Sequence, residues 1–187
     1  MTSTEREGGA LVLVATPIGN LGDLSARAVD VLRQADVIAA EDTRRTRALL
    51  THASVAAGGR LRALHAHNER DGARWIVEAV RDGARVAYVT DAGMPGISDP
   101  GEWLVRACLD AGLAVEVVPG PSAVLTALVL SGLPTARFAF EGFLPRRGVA
   151  RKQQLAALIT DSRTVVLFES PARIRATLAD LLATCGP

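Results

Sequence analysis

Short aliphatic runs alternate with helical patterns along most of this chain. Leu11–Ala15, Val37–Ala40, Leu61–His65, Val86–Thr90 and Ala114–Val118 read as strands. Each is followed by a stretch with helical spacing. Asp23 or Ser25 caps a helix running to about Ala35, with Ala28, Val31 and Leu32 on one face. Glu41-Asp42-Thr43-Arg44 turns into a helix holding Leu49 and Leu50. Asn68 or Asp71 opens a third, through Trp75, Ile76, Ala79 and Val80. Glu102 to Ala111 reads as a fourth, and Pro119-Gly120-Pro121-Ser122 enters a fifth that ends near Leu130. Five strand–helix units in succession predict an α/β domain built on a parallel sheet covered on both faces.

Ser131-Gly132-Leu133-Pro134-Thr135 then reads as a linker. The expected organisation is a flexible N-terminus over 1–10, an N-terminal α/β domain over 11–133, and the start of a C-terminal α/β domain over 134–187. That last region offers strands at Phe138–Phe143 and Val165–Phe168 and a helix near Arg151–Ile159. A final helix from Pro171 to Cys185 has Ser170 as its cap, and Ile174, Leu178, Leu181, Leu182 and Cys185 share one face. Two strands are too few to stand alone. Cys185-Gly186-Pro187 is a helix-end signal that usually leads into another element. The second domain is therefore expected to be incomplete, with a sheet edge and an apolar face left for further chain to cover.

Composition narrows the function classes. Of 187 residues, 49% are hydrophobic but only 4% aromatic, so the core must be mostly Val, Leu, Ile and Ala. The formal charge of +1 gives no global basic field to announce nucleic-acid binding. Lys152 is the only lysine; the other cations are arginines, whose fork suits phosphate. Cys108 and Cys185 lie in helical apolar patterns and read as buried free thiols. Met1 to Gly9 is polar, and no apolar stretch approaches a membrane span, so a cytoplasmic protein with no membrane association is expected.

The chemistry is expected at the carboxyl ends of the strands, where open α/β sheets bind ligands. Asp91-Ala92-Gly93-Met94-Pro95-Gly96-Ile97-Ser98-Asp99-Pro100-Gly101 follows the fourth strand. Ordinary strand-to-helix loops run about two to six residues; this one is roughly ten, dense in Gly, Pro and Asp, and reads as a ligand loop. Thr16–Gly22, Glu41–Arg44 and Pro119–Ser122 should lie on the same edge. Neither Gly-x-Gly-x-x-Gly nor Gly-x-x-x-x-Gly-Lys is present, which argues against NAD binding and ATP hydrolysis. His65 and His67 share a strand face, but with no third ligand nearby no metal site is expected.

These motifs, in this order, resemble the tetrapyrrole methylase superfamily. The loop from Asp91 to Gly101 and the Pro119-Gly120-Pro121-Ser122-Ala123 turn carry the general likeness. Thr16-Pro17-Ile18-Gly19-Asn20-Leu21, Glu41-Asp42-Thr43-Arg44, Phe140-Glu141-Gly142-Phe143-Leu144-Pro145 and Phe168-Glu169-Ser170-Pro171 are similar to its ribosomal RNA branch. The resemblance covers residues 11 to 187. It implies two α/β/α domains with S-adenosylmethionine in a cleft between them, and a homodimer. The implied reaction is 2′-O-methylation of a cytidine ribose in the decoding region of 16S rRNA, within the small ribosomal subunit. Asp91, Ala92, Gly93, Gly96, Ser98, Asp99, Pro119, Gly120, Ser122 and Ala123 would then line the cofactor. Asn20, Arg44 and Arg173 would meet the RNA, the arginines through phosphate oxygens.

A ribose hydroxyl is a poor nucleophile, so a carboxylate or other base should take its proton. Glu41, Asp42 and Glu169 are the candidates, and the sequence does not choose among them. Two other readings stay open: a methylase acting on a tetrapyrrole or other small molecule, and a cofactor- or RNA-binding fragment without activity.

Overall fold

A computed structural model describes residues 8–65 and 69–186. His67, Asn68 and the residues before Gly8 lie outside the described residues. Two compact units divide at Ser122/Ala123.

The first unit is a five-stranded, wholly parallel sheet. Its strands are β1 (Ala10–Val14), β2 (Val37–Ala40), β3 (Leu61–Ala63), β4 (Arg85–Val89) and β5 (Ala114–Val118), in the order β3-β2-β4-β1-β5. Strand alternation builds two cores from one sheet. Ala10, Val12 and Val14 face α1 (Ala26–Gln34) and α2 (Thr43–His52) through Ala28, Leu32 and Leu50. Leu11 and Leu13 face α3 (Glu69–Arg81) and α4 (Glu102–Asp110) through Ala73, Ile76, Val80, Leu104 and Cys108. Both faces of the sheet are thus covered, as the alternation of elements predicts, and the core is aliphatic apart from Tyr88.

Local chemistry sets the helix ends. The Ser25 side chain accepts from Ala28 N at 3.1 Å and caps α1. At the other end, Arg60 donates from Nη1 to the carbonyls of Leu32, Arg33 and Ala35, and from Nη2 to that of Ala56. A cation on the last carbonyls of a helix answers both their unpaired acceptors and the helix dipole.

The second unit holds α5 (Ala123–Leu130), the parallel pair β6 (Phe138–Phe143) and β7 (Thr164–Phe168), α6 (Val149–Thr160) and α7 (Ile174–Cys185). Val124 and Leu128 of α5 pack on Val166 of β7, with Phe140 and Phe168 beside them. The helix is apolar all round, which lets it pack here while Leu125 and Val129 stay exposed. The Gly-Pro segment at 131–135 is consequently a turn inside the second unit.

Three expectations are corrected here. Helix α7 starts at Ile174 rather than Pro171, because the Ser170 hydroxyl turns to Glu169 instead of capping and residues 171–173 form a tight turn. Its Ile174, Leu178 and Leu182 share a face, but that face is exposed; the inward side carries Thr177. Cys108 is buried as expected, whereas Cys185, at the end of α7, is exposed.

Candidate active site on the first unit

Strands β1 and β4 are neighbours whose outgoing connections run to opposite sides of the sheet. That is a topological switch point, where such sheets open a crevice beyond their carboxyl ends. The loops after these two strands are stitched together there. Thr16 N donates to Gly93 O at 2.9 Å and Gly93 N to Thr16 O at 3.1 Å. The buried Thr16 hydroxyl donates to Thr90 O at 3.1 Å. Gly93 is buried at φ +83°, a conformation in which a side chain is strained, and a Cβ would meet Ile18 Cγ2 at 3.4 Å. Within the loop, Gly96 N donates to Pro100 O at 3.1 Å, and Ser98 is held at φ +60°. Left-handed backbone at a non-glycine residue costs energy and is concentrated at ligand sites. After β5, Gly120 comes so close to β1 that a Cβ would lie 2.8 Å from that of Ala15.

The second strand contributes its acids to the same edge. Glu41 Oε2 accepts from Asp91 N at 3.2 Å. Asp91 Oδ2 pairs with Arg45 Nη1 at 3.3 Å, while its Oδ1 is buried with no hydrogen-bond partner among the described residues. Asp99 joins this group. Its partial burial, and then the charges of Glu41 and Asp91, raise its pKa to about 6, against an opposing pull from the Thr90 hydroxyl. Thr16, Pro17, Leu21, Arg45, Thr46, Ala48, Leu49, Thr90 and Asp91 line a cavity of about 240 Å³. A half-open space lined by a residue with an unpaired carboxylate oxygen is suited to a ligand carrying a donor or a positive charge.

Asp42 behaves differently. It caps α2, accepting from Arg44 N at 2.8 Å and Arg45 N at 3.4 Å, and takes the Arg44 guanidinium at 3.1 Å. The Arg44 side chain and backbone hold its pKa down at about 2. In the second unit Glu169 is enclosed, with side-chain exposure of 4%. Its Oε2 accepts from Thr177 Oγ1 at 2.7 Å and Arg173 Nη2 at 2.9 Å, and Oε1 from Ser170 N at 2.7 Å. The Thr177 hydroxyl above all, with Ser170 N and the Arg173 charge, lowers its pKa.

The family model of the tetrapyrrole (corrin/porphyrin) methylases matches residues 10–187. The chain belongs to that family. It is 50% identical over 178 residues to a ribosomal RNA small subunit methyltransferase I of Mycobacterium tuberculosis, covering 95% of this chain and 62% of that protein. It is 46% identical over 184 residues to the protein of the same name in Escherichia coli O157:H7, covering 98% and 64%. The chain thus spans less than two thirds of the length of these relatives. Among solved structures, uroporphyrin-III-C-methyltransferase from Thermus thermophilus superposes with a TM-score of 0.63 at 23% identity, over 94% of this chain and 74% of that one.

In this methylase-family fold the predicted residues separate. Glu41, Asp91, Gly93, Asp99 and Gly120 come together at one sheet edge. Ala92 and Ser98 are exposed on the same loop, and Pro119 and Ser122 flank Gly120 in the turn after β5. Asn20 caps a short 3₁₀ turn, its Oδ1 accepting from Gly22 N at 3.0 Å. The Arg44 side chain is 88% exposed and lies along Asp42. Arg45 was not singled out by sequence, and the buried Thr16 only as the first residue of its loop. Arg45 follows Arg44 directly, and only the phase of α2 distinguishes the residue that reaches Asp91. Among the described residues no cluster of His, Cys, Asp and Glu is suited to a metal ion, and no helix is long and apolar enough to cross a membrane.

Proposed function

We propose that this protein uses S-adenosylmethionine to methylate the 2′-oxygen of a cytidine ribose in the decoding region of 16S rRNA, as a homodimer acting on the small ribosomal subunit in the cytoplasm. The observation that carries the reading is the Asp91–Gly101 loop. It is stitched to β1 and presents an unpaired buried carboxylate oxygen, in a chain about half identical to relatives named for small-subunit rRNA methylation.

The residues fit the cofactor. Asp91 Oδ1 lacks a partner, and the close approach of Gly120 to β1 leaves the turn's backbone bare. Asp91, Ala92, Gly93, Gly96, Ser98 and Asp99, with Pro119, Gly120, Ser122 and Ala123, would hold it, the carboxylates taking its positive charge. When bound, S-adenosylmethionine supplies a methyl group already activated on a sulfonium, so the protein's task is mainly positioning. Glu41 takes the proton of the ribose 2′-hydroxyl. Of the three candidate carboxylates it is the one whose second oxygen, Oε1, makes no hydrogen bond among the described residues. Asp42 and Glu169 are weakened as bases by the donors around them. Arg44 and Asn20 stand exposed at the strand ends and would meet RNA, while Arg173 supports the chain that carries further RNA contacts.

Transfer of labelled methyl groups to unmodified small ribosomal subunits tests this, with the modified nucleotide located by mass spectrometry and a tetrapyrrole as the competing acceptor. Label on a ribose of the decoding region is expected. Label on the tetrapyrrole alone, or on a base, would overturn it. Calorimetry with S-adenosylmethionine alone separates a silent cofactor-binding chain from one that binds nothing.

A further inference from the structure

Charge is divided unevenly between the two units. Residues 1–122 hold 13 Arg or Lys against 16 Asp or Glu, whereas residues 123–187 hold 8 against 4, so net charges of −3 and +4 make up the chain's +1. Three of the four acids in the second unit are ion-paired: Asp161 with Arg163 at 2.7 Å, Glu169 with Arg173 at 2.9 Å and Asp180 with Arg151 at 2.8 Å. The fourth, Glu141, accepts from Gln154 at 3.3 Å. Of the five cations of this unit outside those pairs, Arg137 and Arg175 lie apart, and the other three share one turn and the helix it enters. Arg146, Arg147 and Lys152 are exposed, and among the described residues their side chains make no ion pair or hydrogen bond.

This turn is pinned from behind by two other guanidiniums. Arg173 Nη2 donates to Leu144 O at 2.9 Å, and Arg151 Nη1 donates to Pro145 O at 3.0 Å. These are the two carbonyls that immediately precede Arg146. Arg151 is buried and also binds Asp180 and, through Nη2, Thr177 Oγ1 at 2.9 Å. Thr177 in turn donates to Glu169 at 2.7 Å. A buried ionic network is not favoured for stability alone, since desolvation opposes the pairing. What this one accomplishes is to hold a short basic turn in a single conformation. Side chains carried on fixed backbone lose less entropy on meeting a partner. Forked guanidiniums on such a base match phosphate oxygens.

We propose that Arg146, Arg147 and Lys152 form a clamp for the phosphate backbone of an RNA, with Arg151, Arg173 and Thr177 as positioning residues that fix the Leu144–Pro145 backbone beneath it. The identity of the partner as RNA rests on the function proposed above. The clamp itself rests on the charge and the pinned turn.

The test is binding and methylation of small ribosomal subunits across a salt series, with the wild type, R146A/R147A and K152Q. Each phosphate contact contributes about 0.7 to 0.9 to the slope of log affinity against log salt. Loss of two contacts should flatten the slope by about 1.4 to 1.8. The wild type should then lose roughly tenfold more affinity than R146A/R147A between 50 and 200 mM salt. KM for the subunits should rise with kcat unchanged, S-adenosylmethionine affinity should hold, and K152Q should show about half the effect.

Thr177→Val should shift KM in the same direction, with Thr177→Ser restoring it; a purely structural threonine would lower the melting temperature without moving KM. Equal slopes and KM values for wild type and R146A/R147A would overturn the clamp while leaving the methylation reading intact. Salt-dependent RNA binding that the double variant loses, in a protein that transfers no methyl group to RNA, would support the clamp and overturn that reading. No RNA binding by the wild type at any salt would overturn the clamp.

Discussion

Asp99 should make this protein less stable at neutral pH than it is near pH 4.5, and replacing it with Asn should remove that cost. Its carboxyl is drawn out of water and placed beside Glu41 and Asp91, which raises its pKa from 3.8 to about 6. Above pH 6 the group is ionised in both folded and unfolded chains, and the folded state carries the cost. As pH falls from 6 towards 4, the folded state takes up the proton first and stability rises. Below 4 both states are protonated and nothing more is gained. A full shift of this size corresponds to about 3 kcal/mol. Asp99 is only partly buried, so solvent screening reduces the expected effect to about 1 kcal/mol.

Urea unfolding of the wild type and Asp99→Asn at pH 7.5, 6.0 and 4.5 measures it. The variant should be more stable by about 1 kcal/mol at pH 7.5, with the difference closing towards pH 4.5. Asp42 and Asp161, lowered to about 2 by Arg44 and Arg163, have the opposite sign: their contribution is present above pH 4 and lost as pH falls through 2. That window does not overlap that of Asp99, so the difference between the two proteins isolates the one group. A cationic ligand relieves the same repulsion. Wild-type affinity for S-adenosylmethionine should therefore weaken as pH falls through 6, and Asp99→Asn should bind weakly at every pH. If the variant is no more stable at pH 7.5 than the wild type, or the difference does not change with pH, the carboxylates are not close enough to repel and the argument fails.

Three further outcomes follow from single contacts. Arg60→Ala, which strips the carbonyls of Leu32, Arg33, Ala35 and Ala56 of their donor, should cost about 2 kcal/mol in urea unfolding, with Lys recovering only part. Gly120→Val should lower the melting temperature through a loss of about 1–3 kcal/mol, because its Cβ would meet that of Ala15 at 2.8 Å; Gly59→Ala, with open space around it, serves as the neutral control. Arg45→Ala, which removes the cation facing Asp91, should tighten binding of the positively charged S-adenosylmethionine, while Arg44→Ala should leave that binding unchanged and reduce the salt slope for RNA by about 0.7 to 0.9.

Most of the first unit was legible because its signals are local. Strand and helix periods, the Ser25 cap and the long loop after β4 each follow from a few adjacent residues. The site was legible as a set of loops at one sheet edge, since a parallel sheet puts every strand-to-helix connection there. What could not be read was which acid is free. Asp42 and Glu41 are adjacent, yet one is consumed by the cap of α2 and the other reaches across to Asp91, a difference set by helix phase and strand pairing. Glu169 looked like Glu41 in sequence, an acid at a strand end before a helix. Only the fold shows that Thr177, eight residues later, occupies its oxygen. The exposed face of α7 escaped for a related reason: helical period reveals that Ile174, Leu178 and Leu182 lie together, but not which way they point.

The charge count is a sum, and a sum hides how charge is divided. A formal +1 over the chain argues against a basic field, and that inference is sound for a single body with mixed charges. It fails when charge segregates by unit. An acidic first unit gathers Glu41, Asp91 and Asp99 at one edge, suited to a positively charged cofactor. A basic second unit spends three of its arginines on internal acids and sets three of its five other cations on or beside a pinned turn. In the proposed reaction a cationic donor and a polyanionic acceptor would make opposite electrostatic demands, and a protein serving both on separate units would show almost no net charge. On the proposed function, a small sum over the chain is what two opposite demands on separate units would leave, and the distribution of charge between the units says more than its total.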